Sequence, residues 1–304
     1  MLTTAEIVRN AWQAGLMVPA FNVPYLPMVE PLVRAVIDQN VFALIDTARI
    51  EWLTFESKGP AAVHAEFVKW QNPDYVRLHL DHVPVIAEDD SEVDFVPIIQ
   101  EALDLGYDSV MIDGSRLSLE DNIAATRQIA EMAHRVGVPV EAELGAIVRE
   151  GAGPLPPYEE MFASGIGFTG VEEAVRFVRE TGCDWLSVAV GNLHGAVSKA
   201  FKDRKKTEAR LNLDHLAKLR DATGIPLVLH GGSGIQRAYM LEAMKCGIAK
   251  VNVATEVRQA YETGLRETGS VKGGQDAVYD RAVWMLRDYF ALSGSREEII
   301  GQQI

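Results

Sequence analysis

"DSVMIDGSRLSLEDNIAATRQIAEMAHRVGVPVEAEL", residues 108–144, holds three elements in one stretch. "DSVMI" (108–112) is a short apolar run, and "VPVEAEL" (138–144) is another. Between them, "SLEDNIAATRQIAEMAHRVG" repeats apolar residues at spacings of three and four and closes on a glycine, the pattern of a helix with a C-terminal stop. Strand, helix, glycine, strand is how a chain builds a parallel sheet, because a parallel neighbour cannot be reached through a tight turn.

Outward from this stretch the unit recurs. Further short runs are "VPAFN" (18–22), "FALID" (42–46), "VRLHL" (76–80), "DWLSVAV" (184–190), "IPLVLH" (225–230) and "AKVNV" (249–253), eight in all. "GVEEAVRFVRETG" repeats the helical spacing and its closing glycine. Eight such units predict an α/β protein folded as a closed (β/α)8 TIM barrel. No G-x-G-x-x-G follows the first run, so an open dinucleotide-binding sheet has no support. Residues 1–304 read as a single barrel domain. Residues 256–304, with "AVYDRAVWMLRDYFAL", are expected as a helical C-terminal extension that closes the bottom of the barrel or packs on a neighbouring subunit.

Acidic residues number 43 against 29 lysines and arginines, a formal charge of -14, which argues against a nucleic-acid partner or an anionic membrane surface. No apolar run is long enough to cross a bilayer, and a cytoplasmic protein is expected. The two cysteines, Cys183 and Cys246, sit beside glycines at helix-to-strand turns and read as structural.

In this fold chemistry gathers at the C-terminal ends of the strands. The third run ends in Asp81-His82, the fourth in Asp113, and the fifth contains Glu143. His194 follows the sixth run, His230 ends the seventh, and Asn252 and Thr255 belong to "NVATE" at the eighth. Three of the seven histidines thus fall at strand ends. Each alone reads as a satisfied histidine; together they suit a metal site with three imidazoles and an open position. His64, His79, His134 and His215 lie within helices or inside a strand and read as structural. "HGGSG" and "NVATE" are either tight turns or a phosphate cradle, where glycine lets backbone N–H groups approach the oxygens.

With these residues in place the chain resembles the class II, metal-dependent ketose-bisphosphate aldolases, the family of the fructose- and tagatose-bisphosphate enzymes. The motifs that carry the likeness are "VPAFNV", "LHLDH", "SVMIDGS", "VEAELG", "VGNLHG", "VLHGGSG" and "GIAKVNVATEVR", in the family's order. The resemblance implies a lyase of carbohydrate metabolism, glycolysis included, working as a homo-oligomer on a phosphorylated sugar through an enediolate of dihydroxyacetone phosphate. It implies a catalytic Zn²⁺ on His82, His194 and His230, with Asp81 handling the proton. It further implies a second divalent ion near Asp113 and Glu143, and a monovalent cation nearby. Asn22, Gly195, Gly231, Ser233, Asn252, Thr255 and Arg258 match substrate and phosphate contacts. A lid is expected in "AIVREGAGPLPPYEEMFASGIGFTG", with Glu150, Glu159 and Glu160 as candidates for a second acid.

The alternatives are a metal-dependent sugar-phosphate isomerase or epimerase, and a non-catalytic sugar-phosphate-binding barrel. A Schiff-base mechanism would need a lysine at the rim, and only Lys250, inside the eighth run, comes near one. Departures from the family pattern concentrate after His82. There "VPVIAEDD" is expected as a loop with Glu88, Asp89 and Asp90, leading to a helix capped at Ser91 with Asp94 completing the box. The second run ends in "IDTAR", leaving Thr47 or Ala48 where a phosphate-contacting serine is usual.

Overall fold

A computed structural model describes residues 2–144, 158–192, 210–232 and 234–301. Its strands are β1 (Val18–Asn22), β2 (Ala43–Ala48), β3 (Val76–Pro84), β4 (Ser109–Asp113), β5 (Val140–Leu144), β6 (Trp185–Val188), β7 (Leu227–Leu229) and β8 (Ile248–Val253). They pair in sequence order, all parallel, and β8 returns to β1 to close the barrel. Each lies within or beside its predicted apolar run. The largest extension is β3, which continues through Val83 and Pro84.

The helices follow from the same local rules. In helix Leu119–His134 the Ser118 hydroxyl accepts from the Asp121 N–H, and Ile123, Thr126, Ile129, Ala130 and Ala133 fall on one buried stripe. Helix Val171–Thr181 buries Ala174, Phe177 and Thr181 and stops at Gly182, whose left-handed φ of 72° costs a glycine nothing.

The bottom of the barrel is closed by both ends of the chain, an N-terminal helix and, from the expected C-terminal extension, Ile299. Helix Thr4–Ala14 begins with a reciprocal Thr3–Glu6 capping box and buries Ile7, Val8 and Ala11. These pack with Val18, Phe42, Leu44, Trp185 and Val228 at the lower ends of the strands. Helix Arg296–Ile300 lies beside it, where the Asn10 side-chain amide donates to the Ile299 carbonyl at 2.8 Å. The preceding helices, Thr255–Thr268 and Val271–Trp284, pack on each other, and the second packs on helix Val29–Asp38 of the same chain. Their close approach needs Gly264, where a Cβ would lie 2.4 Å from the Gly273 carbonyl oxygen.

The segment after β3 corrects the expected helix cap. Ser91 donates its backbone N–H and its hydroxyl back to Asp89, at 3.1 and 2.6 Å, so it does not cap a helix. The chain instead turns through a small hairpin joined by the Ile86–Glu92 bridge, and the helix starts later, as Phe95–Leu105. Glu88, Asp89 and Asp90 are exposed on that turn, and Arg116 pairs with Asp90. Among the described residues no helix is long and apolar enough to cross a membrane.

Candidate active site

Alternate residues of a strand face the same side, so each barrel strand delivers inward groups two apart. Contacts across the barrel identify these groups: Asn22 from β1, Asp46 from β2, His79 and Asp81 from β3, Glu141 and Glu143 from β5, Trp185 from β6, and Lys250 and Asn252 from β8. His230, just past β7, joins them.

His82 breaks this parity. As the neighbour of Asp81 it belongs on the outer face of a regular strand, yet its ring lies 4.4 Å from that of His230. The β3–β4 register shifts between Leu80 and Val83, and His82 adopts a left-handed φ of 40°. Such a bulge re-aims a side chain, and a non-glycine residue there carries roughly 1–3 kcal/mol of backbone strain. The gain is that Asp81 and His82 both reach the rim: the candidate donor atoms of Asp81, His82 and His230 lie within 4.8 Å of one another.

Asp81 is 1% exposed and accepts from two amides, Asn22 Nδ2 at 3.0 Å and Asn252 Nδ2 at 2.8 Å. Burial alone would raise its pKa, but the charges of His82, Lys250 and His230 outweigh that and hold the carboxyl well below its ordinary range. It is therefore ionised and oriented. His82 Nδ1 donates to the Asp113 carboxylate at 3.3 Å; burial opposes its charge, yet Asp81 and Asp113 raise its pKa to about 10.

His230 is gripped on both sides, with Nε2 2.8 Å from Glu141 and Nδ1 3.0 Å from Glu143. Glu141 lies deeper and receives the Trp185 indole N–H at 2.7 Å and the Lys250 ammonium at 2.9 Å. Lys250 is fully buried, also lies 3.8 Å from Asp46, and donates to Asn252 Oδ1 at 2.6 Å. Burial would neutralise it, but Glu141, Asp46 and Asp81 raise its pKa, so it stays charged. A charged, enclosed ammonium is no Schiff-base nucleophile, and that alternative falls.

Two further sets of groups could hold an ion: His82 with Asp113 and Glu143, and the deeper Asp46, His79 and Asp81. The first matches the carboxylates expected near a second metal. The second is less suited, because the Lys250 ammonium, 3.8 Å from Asp46, already occupies that depth as the cation. The rim set fits a divalent ion better. Its imidazoles and carboxylates are the usual donors, and Glu143 Oε2 is buried without a hydrogen bond although it lies 3.0 Å from His230 Nδ1.

The groups expected to meet phosphate follow β7 and β8. Gly231 takes a φ of 70°, and at Gly232 a Cβ would lie 2.4 Å from Val251, so only glycine fits that approach. Thr255 opens helix Thr255–Thr268. Arg258 is held by Glu262 at 2.7 and 2.8 Å and lies over the Phe55 ring, with Tyr25 donating to the same Glu262. Thr47 faces away from the rim, sharing a 3.1 Å hydrogen bond with the Tyr107 hydroxyl, so Ala48 is the rim residue of that pair. Glu159 and Glu160 are exposed on helix Tyr158–Ser164, an element the sequence reading missed. His194, Gly195, Ser233 and Glu150 lie outside the described residues.

Sequence reasoning also missed Glu51, on helix Arg49–Thr54 directly after β2. It is 5% exposed, and burial, with Asp81 adding repulsion, pushes its pKa well above the ordinary range against help from Ala48 and Asn22. Its only signal in the sequence was an acid three residues past a barrel strand. Glu141 and Lys250 were more legible, each lying two residues before a group already singled out.

A family model described as class-II fructose-bisphosphate aldolase matches residues 2–296. A fructose-bisphosphate aldolase of Streptococcus pyogenes serotype M3 (strain ATCC BAA-595 / MGAS315) is 40% identical over 299 residues, covering 92% of this chain and 87% of the relative. The uncharacterized protein YdjI of Escherichia coli (strain K12) is 40% identical over 185 residues, 61% of each chain and so less than two thirds of its length. The X-ray crystal structure of the YdjI aldolase from Escherichia coli K12 superposes with a TM-score of 0.77 at 28% identity, covering 98% of this chain and 100% of that one.

Proposed function

Since the chain belongs to the class-II fructose-bisphosphate aldolase family, whose members are metal-dependent aldehyde-lyases acting on phosphorylated sugars, we propose that it is a zinc-dependent aldolase cleaving or forming a ketose phosphate. The observation that carries this reading is the meeting of an ionised, doubly amide-anchored Asp81 with His82 and His230 inside 4.8 Å.

His82, His194 and His230 would hold the ion, with Asp113 and Glu143 beside it for a second one. When bound, a divalent ion supplies Lewis acidity for the negative charge that builds up as the carbon–carbon bond breaks. In the cleavage direction Asp81 accepts the proton of the C4 hydroxyl. The C3–C4 bond then breaks, the C4 carbonyl forms, and the electron pair remains on the three-carbon fragment as an enediolate of dihydroxyacetone phosphate. Asn22 and Asn252 keep the Asp81 carboxylate aimed throughout. Gly231, Gly232 and Thr255, with Ser233 and Gly195, would hold the phosphate by backbone N–H groups and hydroxyls. The same reading makes the enzyme a homo-oligomer of cytoplasmic carbohydrate metabolism, as family likeness implies.

The test is a retro-aldol screen of ketose mono- and bisphosphates, scored by dihydroxyacetone phosphate release with and without chelator. Chelator-sensitive release, lost in His82→Ala and His230→Ala, is expected. Undiminished release in either variant would overturn the reading.

A further inference from the structure

Beneath the rim lies a buried polar pair that the reaction does not consume. Glu141 offers Oε1 to His230 Nε2 at 2.8 Å, while its Oε2 accepts from Trp185 Nε1 at 2.7 Å and lies 2.9 Å from Lys250 Nζ. Neither the indole N–H nor the ammonium can accept a hydrogen bond, so Oε2 accepts from both, and the ion pair with Lys250 keeps the carboxylate ionised, which leaves Oε1 an acceptor as well. Oε1 then requires a proton on His230 Nε2. The other ring nitrogen, Nδ1, lies on the side of Glu143, two residues nearer the rim along β5.

The same ammonium settles a second orientation. It donates to Asn252 Oδ1 at 2.6 Å, which leaves Asn252 Nδ2 as the atom that meets Asp81, at 2.8 Å. A reversed Asn252 would set its oxygen against the Asp81 carboxylate and its nitrogen against Lys250, repulsive on both sides.

We propose that Glu141 and Lys250 are a positioning pair: Glu141 holds His230 with Nε2 protonated and Nδ1 presented to the rim, and Lys250 holds both Glu141 and the Asn252 amide that aims Asp81. This rests on the reading of His230 as a metal ligand. Outer groups that fix the tautomer and direction of a ligating histidine typically change metal affinity about 10- to 100-fold when altered.

Glu141→Gln tests the pair with almost no change of shape. Lys250 and Trp185 together demand the new side-chain oxygen, which turns the amide nitrogen toward His230 Nε2 and drives the imidazole proton to Nδ1. Zinc affinity, measured by chelator competition on protein shown by circular dichroism to be folded, is expected to fall about 10- to 100-fold. Long-range ¹H–¹⁵N spectra of the metal-free proteins should report Nε2–H at His230 in the parent and its loss in the variant. Equal affinity with Nε2–H retained would overturn the proposal. Should Glu141→Gln fail to fold, Trp185→Phe removes one of the two donors while keeping the charge pair; a smaller fall in affinity is expected there, and none would overturn the pairing. Failure of the underlying reading looks different: the parent itself binds no zinc, or His230→Ala binds it as tightly as the parent.

Discussion

Asp81 and His82 are consecutive residues of β3, yet both present their polar atoms at the same rim, within 4.8 Å of His230. A flat strand forbids this, since neighbours point to opposite faces. The register shift after Leu80 and the left-handed backbone of His82 make it possible.

The first prediction concerns Asp81→Asn. Asn22 and Asn252 both donate to the native carboxylate, so an amide there must set its nitrogen against one of them, at a cost of about 1–3 kcal/mol. The proton acceptor is also lost. Turnover is expected to fall by about 10²- to 10⁴-fold with zinc content retained, read by steady-state kinetics beside metal analysis. Near-parental turnover would remove Asp81 from the mechanism.

Lys250→Met leaves Glu141 and Asp46 without their buried cation. Breaking one side of a buried charge pair costs about 3–5 kcal/mol, measurable by urea unfolding of the metal-free protein. Adding Glu141→Gln removes the stranded charge, so the double variant should lose less than the two single losses combined. Additive losses would show that the two residues are not coupled.

Glu51 gives a pH-dependent expectation. Its folded pKa is raised well above 4.5 by burial, with Asp81 adding to the effect. Below pH 4.5 the acid is protonated in folded and unfolded chains alike, and it costs nothing. Above 4.5 the unfolded chain ionises first and stability declines until the folded pKa is passed. Glu51→Gln should therefore raise the melting temperature at pH 7.5 and leave it nearly unchanged at pH 4.

Burial pushes the Cys183 thiol up to about 12, while Cys246 is half-buried at the end of helix Arg237–Lys245. Only the thiolate reacts with iodoacetamide. At pH 8 mass spectrometry should find label on Cys246 alone, with activity unchanged because neither thiol adjoins the rim. Rapid labelling of Cys183 in folded protein would contradict its burial.

The fold was legible because its signals are local. Each strand is a short apolar run and each intervening helix a stripe at three and four, and neighbours along the chain suffice to write both. The positions of Asp81, Asp113, Glu143, His230 and Asn252 at strand ends followed from the same runs. The capping of the next helix failed as an expectation because Ser91 had a nearer acceptor, Asp89, in a turn that no periodicity announces.

By itself, then, the sequence determined eight parallel strands, their order, and which acids, amides and histidines stand at their ends. Tertiary structure alone decided which of them meet. Asp81 finds Asn252 across 171 residues of chain, and Glu141 finds His230 across 89. Closing the barrel sets strands face to face across its interior, and buried charges there take whatever partner that closure brings within reach. The bulge at His82 is of the same kind: it exists in the pairing of β3 with β4, not in either strand alone.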